Sequence, residues 1–397
     1  MDQRNRRARA AVAVAYFVQG FCFAALLTHV SVLQKKFGFS DGELSLVLLA
    51  VPVVAGIGSV VAGLLAGRLG SAVVLRGGGP LVCLAITGAG AAATRGELYV
   101  ALAFVGLSLG LVDATMNMQG VAVERRYGRP VLASFHGVWS AGGIAGGLAT
   151  AGTAALDWST FASLGAVAVV GAALSLAAGP YELKKPEEMS ERPTAAEEAA
   201  IPWRPILLVG TAMMLMYIAD SATSNWSTVF LDDILHASTS VAALGLVVYQ
   251  ACMVLGRAGA DRIVRRFGAV PAVATGAIIG GVGLLIVAAA PNAAIGIAGF
   301  AVLGLGLCVV VPQSFSAAGR LDPGSTGVAI ARVNLFNYIG FVVGAALIGA
   351  VATSASLRLA FVVPAVLTVG IVMLAPSFKV AAAPAEAVAD ASGGGGR

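Results

Sequence analysis

Charge is what this sequence has least of. Lys, Arg, Asp and Glu make up 11% of its 397 residues, against about 25% in an ordinary soluble domain. A soluble chain of this length needs polar groups to cover its surface. So little charge beside 58% hydrophobic residues excludes a water-soluble enzyme and a disordered protein alike. Cysteine is scarce too: Cys22, Cys83, Cys252 and Cys308 each stand in an apolar run, with neither CxxC spacing nor a histidine partner. They supply no disulfide framework and no metal site, so packing roles are expected. Walker, HExxH, nucleophile-elbow and deaminase signatures are missing, so neither an enzyme nor an ATP-driven pump is expected, and no cofactor. The net charge of +5 sits in short connecting segments, not on a basic face interleaved with aromatics, so a nucleic-acid partner is not expected. The partner left is the lipid bilayer.

What is abundant is long apolar runs. About 20 apolar residues cross the hydrocarbon core, and that ruler finds twelve: 11–33, 44–66, 73–94, 97–119, 131–155, 159–179, 206–230, 240–259, 271–290, 294–318, 326–350 and 356–376. The first, behind Arg4, Arg6, Arg7 and Arg9, is too long for a signal-peptide core and reads as a first span. We therefore expect an all-α integral membrane fold in two six-helix bundles, 1–180 and 204–376. A polar linker, 181–203, joins them, and a disordered Ala/Gly-rich tail, 377–397, follows. With both termini in the cytoplasm, 20 Lys/Arg fall on the inner side and 4 on the outer, the bias that the positive-inside rule demands. The halves also share a register. An offset of 198 carries Arg68-Leu69-Gly70 onto Arg266-Phe267-Gly268, Ala133 onto Ala331, and Gly142 and Gly146 onto Gly340 and Gly344. Two parallel repeats of this kind are a transporter architecture.

These features resemble the major facilitator superfamily. The loop from Gly63 to Gly70 is similar to the family's G-x-x-x-D-R-x-G signature, with Gly67 in place of the acid, whereas the second copy keeps Asp261, Arg262 and Arg266. The stretches Asp113–Glu124 and Phe135–Ser140 resemble bacterial permeases of the fucose-permease-like group. The resemblance implies a rocker-switch transporter in the inner membrane. Spans one, four, seven and ten would line a cavity, and spans two, five, eight and eleven would form sliding interfaces. It also makes Arg68, Asp261, Arg262 and Arg266 candidates for an inner gate.

Residues that violate the composition are the candidates for chemistry. Asp113 and Asp220 are the carboxylates well inside the expected spans, where a charge is costly enough that it usually serves a function. They are the candidate proton carriers, and His136, whose repeat equivalent is Asn334, is a third. Asp113 falls toward the cytoplasmic end of its span. Gln19, Asn225, Gln313, Asn334 and Asn337, with Trp226 and Tyr338, offer amides and aromatic rings suited to a hydroxyl-bearing solute, although each alone also serves as interhelical glue. Arg332 reads as a snorkelling or gate-pairing residue. The many GxxxG pairs, Gly106/Gly110, Gly142/Gly146, Gly143/Gly147 and Gly340/Gly344, lie in apolar helices and read as close helix contacts. The function expected is proton-coupled import of a small polar, sugar-like solute by a monomer. The alternatives are a proton-driven exporter of a drug or metabolite, and a sensor, for which the 23-residue linker leaves no room for a signalling domain.

Overall fold

The computed structural model describes residues 2–188, 201–322, 324 and 326–379, which are helical throughout their ordered elements, with no strand among them. The expected tail from 380 onward and most of the linker, 189–200, lie outside the described residues. Twelve long helices correspond to the twelve apolar runs. The first bundle holds α1 (Gln3–Thr28), α2 (Asp41–Leu69), α3 (Ser71–Ala91), α4 (Arg95–Tyr127), α5 (Leu132–Ala155) and α6 (Thr160–Ala178). The second holds α7 (Trp203–Val229), α8 (Thr239–Phe267), α9 (Ala269–Ala289), α10 in two segments (Ala293–Leu307 and Val310–Arg320), α11 (Val328–Ser354) and α12 (Leu357–Leu374). Short helices Val30–Phe37 and Lys185–Glu188 lie between them.

Eleven of the twelve are long and apolar enough to cross a membrane. The exception is α5, whose 24 residues reach about 36 Å and exceed the roughly 30 Å core, but whose six glycines, Ser134, His136 and Ser140 dilute its hydropathy. Two helices outrun their expected spans by eight residues each: α4 continues past 119 to Tyr127 and α8 past 259 to Phe267. Asp113 therefore sits about 21 Å from the C-terminal, arginine-bearing end of α4, in the middle part of that 33-residue helix and not toward one end. Arg257, one of the charges counted on the inner side after the eighth run, lies inside α8.

The solvent pattern is inverted, as a bilayer requires. Leu46, Leu84, Leu148 and Met373 are exposed on the outer faces, while Ser59, Thr115, Asn117, Gln119 and Asn334 are wholly buried. The helices approach closely through glycine. A Cβ added at Gly110 would overlap the Ala55 carbonyl, at Gly142 or Gly146 the carbonyls of Phe17 and Phe21, and at Gly340 that of Met214. Gly143 has only ordinary contacts and Gly147 none within 4 Å, so that pair is not a helix contact. The duplication persists in three dimensions. Gly70 and Gly268, 198 apart, turn α2 into α3 and α8 into α9 at φ +90° and +88°, a conformation that a side chain would strain.

Helix starts differ between the two ends of the molecule. At one end Ser40, Thr94, Ser159, Asn292 and Ser356 cap α2, α4, α6, α10 and α12 with their own side chains. At the other, arginine-rich end, the free N–H groups of three helices take carboxylates from elsewhere. Glu188 accepts from Ser71 and Ala72 at the start of α3. Glu124 accepts from Val131 and Leu132 at the start of α5. Asp322, the repeat equivalent of Glu124, accepts from the Thr326 and Gly327 amides just before α11.

The first part of the linker is fastened to this end. Arg4 grips Glu187 through two bonds of 2.8 and 2.6 Å, which holds the Glu187 carboxyl down at about 2. Gln119 donates to the Leu183 carbonyl at 2.8 Å and accepts from its amide at 2.9 Å. Lys185 caps the carbonyls of Gly67 and Arg68 at 2.6 and 3.2 Å. Glu182, paired with Arg76 at 3.3 Å, is buried enough that its carboxyl is pushed up to about 7.

Candidate functional site

The two bundles meet along α2 against α11 and α5 against α8, as the resemblance implied for spans two, five, eight and eleven. The hydrogen bonds that the described residues make between bundles run from the middle part of α4 to the arginine-rich end. In the middle part the carboxylate of Asp113 on α4 is bridged to α11. Tyr338 donates its hydroxyl to Asp113 Oδ2 at 2.9 Å, and Asn337 Nδ2 approaches the same oxygen at 3.4 Å. Asn117 Nδ2 donates to the Asp113 carbonyl at 2.8 Å and lies 3.5 Å from its Oδ1. Asn117 in turn accepts from Tyr16 at 2.6 Å. Gln19 and Asn334 also flank this carboxylate. Gln19 is oriented by the Trp139 indole, which donates to its Oε1 at 2.8 Å, and Asn334 Nδ2 donates to Ser59 at 3.1 Å. Four expected solute-binding residues, Gln19, Asn334, Asn337 and Tyr338, thus gather around one acid.

Asp220 on α7 lies about 25 Å from the inner end of its helix and accepts from Tyr249 of α8 at 2.5 Å. Tyr217, one turn earlier, stands within electrostatic reach of both acids. The remaining residues on the list fall elsewhere. Asn225 is turned back onto its own helix, donating to Ser221 O at 2.8 Å, and the Trp226 ring lies against Gly349 of α11. Neither touches the Asp113 cluster. Gln313 is buried in the second segment of α10, and its Nε2 has no partner. His136 is buried on α5 with Nε2 likewise unpartnered; its ring stacks on Phe315 at 6.0 Å and meets Tyr16 edge-on at 5.2 Å.

Below this level the arginine-rich end is closed by charge. Asp261 of α8 reaches across to α5 and accepts from the Ala133 and Ser134 amides at 3.0 Å each. With Glu124 below it, four successive N–H groups at the start of α5 are satisfied by two carboxylates. Glu124 also accepts from Ser316 of α10. Arg125 donates to the carbonyls of Gly319 and Asp322, the second at 2.9 Å. Arg265 Nη1 donates to Pro130 O at 3.3 Å. Asp261 thus ties the two bundles together by capping a helix of the opposite one.

The other expected gate residues do not join it. Arg68, Arg262 and Arg266 point outward, exposed, and Arg332 stacks over the Trp203 ring at 4.0 Å within its own bundle. At the helix end where Gly67 stands in place of the acid, the Lys185 ammonium donates to the Gly67 carbonyl. The residue that sequence reasoning missed is Arg257, buried in α8, whose Nη1 donates to Ser140 of α5 at 3.0 Å.

The same fold and sequence pattern occur in known proteins. The sequence profile of the Major Facilitator Superfamily matches residues 12–321 and again 209–395. An uncharacterised MFS-type transporter of Yersinia pestis is 31% identical over 355 residues, 88% of this chain and 90% of that one. The uncharacterised transporter y4wD of Sinorhizobium fredii is 28% identical over 372 residues, covering 93% and 97%. Among solved structures, the outward conformation of the transporter FucP superposes with a TM-score of 0.78 at 16% identity, over 94% of this chain and 98% of that one. The proton:xylose symporter XylE superposes with a TM-score of 0.69 at 12% identity, over 93% and 94%.

Proposed function

The chain belongs to the Major Facilitator Superfamily, and from that membership we propose that it is a proton-coupled secondary transporter of a small, hydroxyl-bearing solute, with Asp113 as its coupling group. The observation that carries the reading is the bridge from Asp113 to Tyr338 and Asn337 across the bundle interface. An ionised carboxylate accepts from both donors. A protonated one gives up acceptor capacity and turns donor, which loosens this tie between α4 and α11. A carboxylate desolvated at mid-bilayer also favours travelling neutral. Proton binding and bundle separation are thereby linked at one atom pair.

The amides and hydroxyls of Gln19, Asn334, Asn337 and Tyr338 around it suit a solute whose hydroxyls each need a partner once water is removed. Two fold neighbours, a fucose:proton symporter and a proton:xylose symporter, are compatible with import. Asp220, held by Tyr249, is the second coupling acid. We place the protein in the bacterial inner membrane as a monomer, and the Lys/Arg bias orients it with both termini in the cytoplasm. The test is uptake of radiolabelled L-fucose and D-xylose into proteoliposomes under an imposed pH gradient. Asp113→Asn should abolish gradient-driven accumulation and leave solute counterflow intact. Full accumulation by this variant would overturn the assignment, and solute efflux driven by the same gradient would favour an exporter.

A further inference from the structure

The buried charges of the interface are unevenly partnered. Arg257 is 8% exposed. Among the described residues no carboxylate lies within 4.0 Å of it, its Nη1 has a neutral partner in Ser140, and its Nε has none. A cation with no carboxylate in contact, about 15 Å inside the C-terminal end of α8, is costly in hydrocarbon, and residues that carry such a cost commonly mark solute or ion pathways.

The repeat sharpens this. The offset of 198 places Arg257 on Ser59 and His136 on Asn334. At the α2–α11 seam, Ser59 and Asn334 form a neutral hydrogen bond of 3.1 Å. Closing the equivalent seam therefore does not require an arginine. Where the other half has a neutral hydrogen-bonded pair with only the Asn334 amide oxygen left open, the α5–α8 seam has a cation and an imidazole, each with an unpartnered buried nitrogen, within electrostatic reach of each other.

The arginine also lies near the second coupling acid proposed above. Helical side chains lean toward the N-terminus of their helix, and on α8 that direction leads by way of Met253 to Tyr249, the partner of Asp220. Asp220 and Tyr217 both lie within electrostatic reach of Arg257.

We propose that Arg257 anchors a carboxylate group of the transported solute, so that the substrate is a small hydroxylated organic acid. The inference rests on the transport reading above and narrows its substrate class. It also explains why Asp220 stands within electrostatic reach of the arginine without pairing with it. In the unloaded centre an ionised aspartate balances the charge of Arg257 at a distance. When the solute's carboxylate takes over that role, the aspartate accepts a proton and the centre stays neutral. One carboxylate enters, one proton enters, and no bond is made or broken.

The probes are D-glucuronate, its neutral amide D-glucuronamide, and the smaller pair L-lactate and lactamide. Binding is read from the unfolding temperature of the purified protein across a concentration series. The acids should raise it with a half-saturating concentration at least about tenfold lower than their amides. Arg257→Gln should remove that preference, and Arg257→Lys should restore part of it. An arginine that only holds α5 to α8 would alter stability without altering the preference for acid over amide. Equal response to acid and amide, no response to either acid, or a preference that survives in Arg257→Gln would overturn the proposal.

The two readings fail separately. Selective glucuronate binding without proton-driven uptake sinks the coupling role and leaves the anion site. Proton-driven uptake of neutral sugars with no preference for acids does the reverse.

Discussion

Asp261 makes the sharpest mechanical prediction, because it holds the closed end from the opposite bundle. Its two oxygens each accept one amide N–H of α5 at 3.0 Å, and the residue is 7% exposed. Loss of an N-cap costs about 0.5–2 kcal/mol, and a carboxylate at a partly buried helix N-terminus contributes up to about 2 kcal/mol. These figures describe one contact and do not add. Because the freed amides regain water when the seam opens, about 1.5 kcal/mol is the working value. That corresponds to a roughly tenfold change in the ratio of closed to open molecules. The change is measurable by electron-electron resonance between spin labels at Arg129 and Phe267, exposed positions at this end on opposite bundles. Asp261→Ala should shift the distance distribution toward the longer, open population by about that factor. Asp261→Asn, which keeps one acceptor, should fall between it and the native protein. Glu124 still serves Val131 and Leu132 in both variants, so α5 itself should persist. An unchanged distribution in Asp261→Ala would show that apolar packing of the seams, and not this cap, holds the end shut.

Further outcomes follow from the packing and the docked linker. Gly110→Val drives its side chain into the Ala55 carbonyl, so overpacking of about 1–3 kcal/mol or more should cut the folded yield in size-exclusion chromatography. Gly147→Ala, with nothing within 4 Å, should leave the yield unchanged. The Glu182 carboxyl, pushed up to about 7, contributes stability that is complete below pH 4.5 and lost as pH rises through 7. Hydrogen exchange of residues 179–188, corrected for its intrinsic pH dependence, should therefore quicken between pH 4.5 and 7 and level off above, and Glu182→Gln should flatten that rise. Glu187, held down at about 2 by Arg4, behaves oppositely. Its contribution stands above pH 4.5 and drains away as pH falls toward 2, and Arg4→Ala should expose the segment even at neutral pH.

Most of the architecture was legible because bilayer thickness imposes a length and the scarcity of charge makes every exception visible. What escaped was whatever lies just beyond an apolar run. Helices α4 and α8 carry on past the hydrocarbon as charged helix, since a backbone that bonds to itself need not stop where apolar composition does. Arg257 was therefore counted with the loop charges although it stands within a helix. Asp261 stood out in the sequence through its motif, but its partners, the amides of Ala133 and Ser134, lie 128 and 127 residues away and carry no sequence signal. The polar strip Asn334, Asn337 and Tyr338 was readable from helical spacing, and its meeting with Asp113 only from the fold. Asn225 and Trp226 show the limit of counting polar residues on cavity helices, because Asn225 bonds back to Ser221 and the Trp226 ring packs on Gly349 within the same bundle.

Helix α5 has a consequence for how the protein is made. It carries the cap site for Asp261, the partner of Arg257 and the ring of His136, and these with its six glycines leave it the one helix of the twelve that falls short as an independent membrane span. Released alone from the insertion machinery, it has little reason to enter lipid. Its glycines Gly142 and Gly146 fit against the backbone of α1 at Phe17 and Phe21, so α1, already in the bilayer, supplies the surface on which α5 settles. The same glycines that let the bundle close its ranks make the fifth helix a late arrival that must wait for the first.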